Sequence, residues 1–188
     1  GAWRFLPRGI PKIQSIPVLP LQNLSGDPNQ EYFSDGMTEQ LISSLAQVHS
    51  LKTISRTSVV RYKGTTKLLR DIAKELGADA IVEGSVGRSG TGVRVTAQLI
   101  HASTDTHLWG KDFDQEISDV LKLEAEVAQA IVREIQIALT PEESGRMAVV
   151  RRVTPAAQDA YWLGRNSYWK NNEAGYKTAT DQFRLAIK

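Results

Sequence analysis

Ala80-Ile-Val-Glu-Gly-Ser-Val-Gly-Arg-Ser-Gly-Thr-Gly-Val-Arg-Val-Thr-Ala-Gln-Leu-Ile-His-Ala102 consists of two arms around a glycine-rich centre. In the second arm Val93, Val95, Ala97 and Leu99 alternate with Arg94, Thr96 and Gln98, the period-two pattern of a strand with one buried and one wetter face. The first arm, 80–88, is a more continuous apolar run. Ser89-Gly-Thr-Gly92 between the arms is a hairpin signal. Downstream, Ser103-Thr-Asp105 marks a second turn, and 106–113 predicts the third strand of a meander.

Upstream the period becomes helical. Leu68, Leu69, Ile72, Ala73 and Leu76 predict an amphipathic helix over 67–76, with Gly77 where a left-handed cap belongs. Residues 51–55 predict a brief strand. Before it, Phe33, Met37, Leu41, Ile42, Leu45 and Val48 share one helix face, with Ser34 or Asp35 expected as its cap and Glu39 complementing the helix dipole. The first apolar run, 15–21, is broken by Pro17 and Pro20, which implies an edge or end position. Asn23-Leu-Ser-Gly-Asp-Pro28 is a dense turn signal. After the meander, Val120, Leu123, Val127, Ile131, Ile135 and Leu139 predict a long helix over 119–139, closed by Thr140-Pro141. The expected fold class is therefore α/β of the α+β-like kind, a mixed five-stranded sheet with three helices in the order β-α-β-α-β-β-β-α.

Residues 140–154 are polar and basic and predict a linker. Two further helices fit 155–170 and 173–188, with Pro155 at a first helical position and Asn171-Asn172 at the turn, so an α-helical hairpin follows the α/β unit. Position 188 falls inside the second helix without a stop signal, so the expectation is a longer helical array. The predicted divisions are 1–14 as a juxtamembrane or linker segment, 15–139 as the α/β domain, 140–154 as linker and 155–188 as the hairpin.

The bulk numbers are those of a globular chain. It has 188 residues, 41% hydrophobic and 23% charged, so disorder is not the default. A net charge of +2 without a basic stripe gives no footprint for nucleic acid. The absence of cysteine excludes disulfides, thiol nucleophiles and cysteine-ligated metals. No apolar run approaches the roughly 20 residues of a membrane span. Trp3, Arg4, Phe5 and Arg8 do mix aromatic and basic residues as juxtamembrane segments often do.

The hairpin resembles a tetratricopeptide-type repeat. Leu163-Gly164 allows close helix packing, and Ala179, Phe183 and Ala186 supply the small and aromatic positions of the second helix. It departs from that repeat at Ser167, where an aromatic residue is expected, and in the interval from Gly164 to Ala179, about three residues too long. The front end resembles, more specifically, the FlgO and TolB amino-terminal-like domains of bacterial signalling proteins. The likeness is carried by Asn23 through Ile42, Ile54-Ser-Arg-Thr-Ser58, Tyr62-Lys63, Glu75-Leu-Gly-Ala78, Ile81-Val-Glu-Gly-Ser-Val86, Arg94-Val-Thr-Ala-Gln-Leu-Ile100 and Leu108-Trp109. The resemblance implies a module that follows a single membrane span and precedes helical repeats. It also implies that the output domain is a CadC-type transcriptional regulator, an adenylate cyclase or a Ser/Thr kinase. An extracytoplasmic, periplasmic location is implied with it, and a cytoplasmic one is allowed.

No enzyme signature is found. Gly84-Ser-Val-Gly-Arg-Ser-Gly90 has the glycine density of a phosphate loop but lies in a hairpin, and His101 and His107 flank a turn without a carboxylate-rich partner loop. Catalytic residues, metal ligands and cofactors are therefore all predicted to be none. Three places qualify as ligand-binding candidates, each against a blander reading. Asp27, Tyr32 and Asp35 surround a helix start and suit a cationic ligand, or simply a structured turn. Arg56 and Ser58 follow a strand end, where α/β sheets collect ligands, or form a capping turn with Arg56 paired to a local carboxylate. Glu83 lies in an apolar strand and needs a partner if buried, for which Arg56 or Arg94 is expected. The reading is a non-catalytic sensor or interaction region, with a protein partner on the helical repeats, a small-molecule ligand, no nucleic acid, and a homodimer allowed. The alternatives are a structural envelope scaffold and, less favoured, an enzyme using Asp27 and Asp35 as an acid–base pair.

Overall fold

Pro17 and Pro20 shape the centre of the sheet. The structure, a computed structural model, describes residues 12–188, so the aromatic and basic start at 3–8 lies outside the described residues. Proline has no amide hydrogen to give to a ladder. The 15–24 stretch accordingly forms two short pieces, β1 (Ser15–Ile16) and β2 (Gln22–Asn23). β1 pairs in parallel with β3 (Lys52–Thr53), and β2 pairs in parallel with β4 (Ala80–Ser89). Between the pieces the Leu19 amide donates to the Val82 carbonyl at 2.9 Å, and the Val82 amide donates to the Pro17 carbonyl at 3.0 Å. The stretch thus runs beside β4 along its length, with β3 on its other side only at Ser15–Ile16.

β4 continues as the predicted hairpin into β5 (Gly92–His101), turning through Gly90 at φ 58°, and β5 pairs with β6 (Thr106–Glu116) in antiparallel fashion. The order across the sheet is β3, β1 with β2, β4, β5, β6. This is the expected mixed five-position sheet, with its first position divided by the prolines.

One face of the sheet carries Val82, Val86, Val95, Leu99 and Phe113, all buried, and it packs against α1 (Glu31–Leu45) and α4 (Val120–Glu134). On the other face Ile81 and Ile100 are buried near α3 (Leu69–Leu76), and the remainder stays polar. Gly77 takes φ 63° at the end of α3, as its sequence position predicts. The short α2 (Arg56–Val59) follows β3.

Three expectations need correcting. Neither Ser34 nor Asp35 caps α1. A 3-10 turn over Pro28–Gln30 leads into the helix, Asp27 caps that turn by accepting from the Asn29 amide at 2.9 Å, and Ser34 is buried within α1, donating to the Glu31 carbonyl. α4 stops at Glu134 because Gln136 turns to φ 57°, although Ile135, Ile137 and Leu139 still pack on the core. The 140–154 stretch contains a helix, α5 (Pro141–Ala148), closed by a reciprocal capping box between Thr140 and Glu143. The helical hairpin is present as α6 (Pro155–Tyr168) and α7 (Glu173–Ala186). Among the described residues, no helix is long and apolar enough to cross a membrane.

Candidate functional site

The outer face of α1 is covered by α6. Gly36 sits in the middle of that face. A Cβ built there would lie 2.4 Å from the Trp162 indole, so only glycine leaves room for the ring. Trp162 is 2% exposed and meets Phe33 edge-to-face, with centroids 4.9 Å apart. Polar pairs flank this apolar key on both sides. Toward the start of α1, Arg88 donates from one nitrogen to both oxygens of Asp159 at 2.9 Å, with the Tyr32 hydroxyl at 3.5 Å. Toward its end, Glu39 accepts from Arg165 and lies 3.8 Å from Arg56, while both guanidinium groups stack over Trp169. In the middle, Asp35 accepts from Asn166 at 3.0 Å through one oxygen and from Lys63 at 2.6 Å through the other. Lys63 also pairs with Glu31 at 2.8 Å. Burial works against the Lys63 charge, but the bonds to Asp35 and Glu31 outweigh it and hold the ammonium above its usual value.

This interface takes up half of the sequence candidates. Tyr32, Asp35 and Arg56, nominated as contacts for an outside ligand, are brought together by α1 and α2 and hold the chain's own α6. Asp27 caps its turn, and Ser58 is exposed, 3.2 Å from the Ser55 hydroxyl. Arg56 has a carboxylate beside it, but it is that of Glu39 on α1 and not one in its own turn. Of the residues that complete the interface, Gly36, Arg88, Asp159, Trp162, Arg165 and Trp169 were not singled out from sequence, and Glu39 was named only as a complement to the helix dipole. A signal was present: Asp159, Trp162, Arg165 or Asn166, and Trp169 recur at helical spacing along one face of α6.

Glu83 is apart from this group. The expected partners are engaged elsewhere, Arg56 with Glu39 and Arg94 with Asp114 at 2.7 Å. The reason is the strand alternation. Glu83 points to the polar face of the sheet, away from α1, while the neighbouring cross-strand pair Arg94–Asp114 is already closed on that face. Glu83 lies half-buried in a cleft of about 410 Å³ between β4, β5 and the 62–69 segment, and burial pushes its carboxyl up, with His107 partly offsetting this. Among the described residues, no group of three or more His, Asp or Glu side chains is placed to hold a metal ion.

No family model matches the chain. A Rhizobium meliloti (strain 1021) protein whose name includes the words adenylate cyclase 3 is 40% identical over 166 residues, which is 88% of this chain and 28% of that protein. The chain thus spans little more than a quarter of that relative's length. Among solved structures, TolB from Acinetobacter baumannii gives a TM-score of 0.49 at 14% identity, over 65% of this chain and 28% of that one. Lipoprotein GNA1162 from Neisseria meningitidis gives 0.47 at 22% identity, over 67% of this chain and 99% of that one. The LpoB C-terminal domain from Salmonella enterica gives 0.44 at 17% identity, over 58% of this chain and 87% of that one.

Proposed function

We propose that this chain is the non-catalytic sensing and coupling part of a bacterial signalling protein. In this reading the α/β unit receives a ligand or partner and passes the event to the helical hairpin through α1. The observation that carries the reading is the keyed contact of Trp162 on Gly36, flanked by ion pairs, which fixes α6 on α1 rather than leaving the hairpin on a free linker. The relative named for an adenylate cyclase supports an output domain elsewhere in a longer protein. The tetratricopeptide reading is supported by Gly164, where an added Cβ would run into the Phe183 ring, so the missing side chain makes room for it. Tyr161, Tyr168 and Tyr176 stand exposed on the hairpin and offer a protein partner aromatic anchors. A membrane-anchored, periplasmic setting and a CadC-type or cyclase output belong to the same proposal.

Two measurements on the purified chain test it. Incubation with ATP and magnesium is expected to yield neither cyclic nucleotide nor phosphate. Spin labels at the exposed positions Ser43 and Lys177 are expected to give one narrow distance distribution that broadens in Trp162→Ala. Nucleotide turnover, or a broad distribution in the unsubstituted chain, would sink the reading.

A further inference from the structure

With Tyr32, Asp35 and Arg56 engaged by α6, the Glu83 cleft is the candidate that remains open. We propose that it is a small-ligand site and that it takes a neutral, hydroxyl-rich molecule of mono- to disaccharide size. This rests on reading the chain as a sensing part.

The cleft stands where the sheet changes its direction of growth. α1 leads from the 15–24 stretch to β3 on one side, and α3 leads from there to β4 on the other, so crossovers depart to both sides of that stretch. The cleft itself opens on the polar face of the sheet at mid-strand, not outside the carboxyl ends of the strands where switch-point crevices lie, so the proposal rests on its size and lining. A volume of about 410 Å³ falls within the range of small-molecule sites.

The lining selects the chemistry. Glu83 and Ser85 of β4 and Thr96 and Gln98 of β5 form the floor, and among the described residues the side chains of Glu83, Ser85 and Gln98 have no hydrogen-bond partner. The Thr96 hydroxyl donates its proton to Asp112 at 2.7 Å, which leaves its oxygen free to accept. Lys67 on the rim is already paired with Glu75, so no free cation awaits an anion, and Glu83 repels one. An alkylammonium can donate to Glu83, the Gln98 amide oxygen and the Ser85 hydroxyl oxygen, but it accepts nothing and leaves the Gln98 amide N–H groups and the Ser85 hydroxyl proton unmatched. Adjacent hydroxyl groups each donate and accept, and they match the whole floor.

The test is a titration of the nitrogen-15-labelled chain, followed by amide shifts, with D-glucose, N-acetyl-D-glucosamine and maltose. n-Butylammonium chloride serves as the charged comparator. At least one sugar is expected to shift Gly64, Gly84, Ser85 and Gln98 saturably. Glu83→Ala is expected to weaken that binding at least tenfold, whereas Glu83→Gln, whose amide oxygen still accepts, should stay within about threefold. Both substitutions face solvent on the polar side of the sheet, and unchanged circular dichroism verifies folding. Three results overturn the proposal: silence from all three sugars, saturation by butylammonium alone, or sugar binding that ignores Glu83→Ala. Any of them leaves the α1–α6 coupling intact, because that is read separately by the spin-label distances.

Discussion

At the scale of single residues, Gly36 and Glu124 both break a rule. Glycine inside a helix costs about 1 kcal/mol against alanine. Gly36→Ala should therefore stabilise α1, yet the added methyl meets the Trp162 indole, and overpacking of that kind costs roughly 1–3 kcal/mol. The expected result in urea unfolding is a lower midpoint for Gly36→Ala in the native background and a higher one in the Trp162→Ala background. That sign reversal is the signature of direct contact. Glu124 is buried on α4 with one carboxylate oxygen unpartnered, and burial raises its pKa to about 7, eased slightly by Ser44. The native state then keeps a proton between pH 4.5 and 7 that the unfolded chain has lost, so stability falls as pH rises through that window. At about 1.4 kcal/mol per unit over that window, the loss is at most roughly 3–4 kcal/mol. Denaturant curves across pH 5 to 8 should show this decline and should show it absent in Glu124→Gln. Neither residue was legible in the sequence as special, because a glycine or a glutamate in an amphipathic pattern looks like surface until its neighbours are known.

At the scale of elements, α5 shows how a short helix is held. Glu143 accepts from the Thr140 amide at 2.9 Å, the His49 amide at 2.8 Å and the His49 ring at 3.0 Å, tying α5 to the segment that follows α1. The backbone donors at His49 and Thr140, with the His49 ring, hold the Glu143 carboxyl at about 2. This stabilisation is full above pH 4.5 and is lost as pH falls toward 2, where the native carboxylate takes up its proton. Amide protection factors in α5, taken against the intrinsic rate at each pH, should fall on acidification, and Glu143→Gln should show reduced protection already at neutral pH. Thr140→Ala should cost about 1 kcal/mol, the usual value for a lost N-cap. The sequence did contain this helix in code. Thr140 followed three residues later by Glu143, with Pro141 at the first helical position, is a start signal, but the same Thr-Pro pair also reads as the stop of the helix before it. The β4–β5 hairpin was legible because strict alternation and a glycine turn have few competing readings. The divided first strand was half legible, since its prolines predicted interruption but not that both flanks would still be paired.

At the scale of the whole molecule, the division into an α/β unit and an appended hairpin is only part of the description. The Trp162 key and three polar contacts join them, and removing 155–188 should leave Phe33 and the Gly36 notch facing water. A chain ending at 154 is expected to melt at a lower temperature and to bind more of a hydrophobic dye than the full chain. Equal melting and equal dye binding would mean that the hairpin contributes nothing to the unit. The periodicity from Asp159 to Trp169 marks one face of α6 in the sequence but not what it docks on, because a docked face and a solvated face of a helix differ only in what lies opposite. The notch also makes position 36 a marker for comparing related chains. A module that worked without a docked helix would gain by replacing that glycine with alanine, whereas one that seats an indole there cannot. Glycine at this place, together with a tryptophan at the position of Trp162, should therefore distinguish kin whose helices are clamped from kin whose helices swing free.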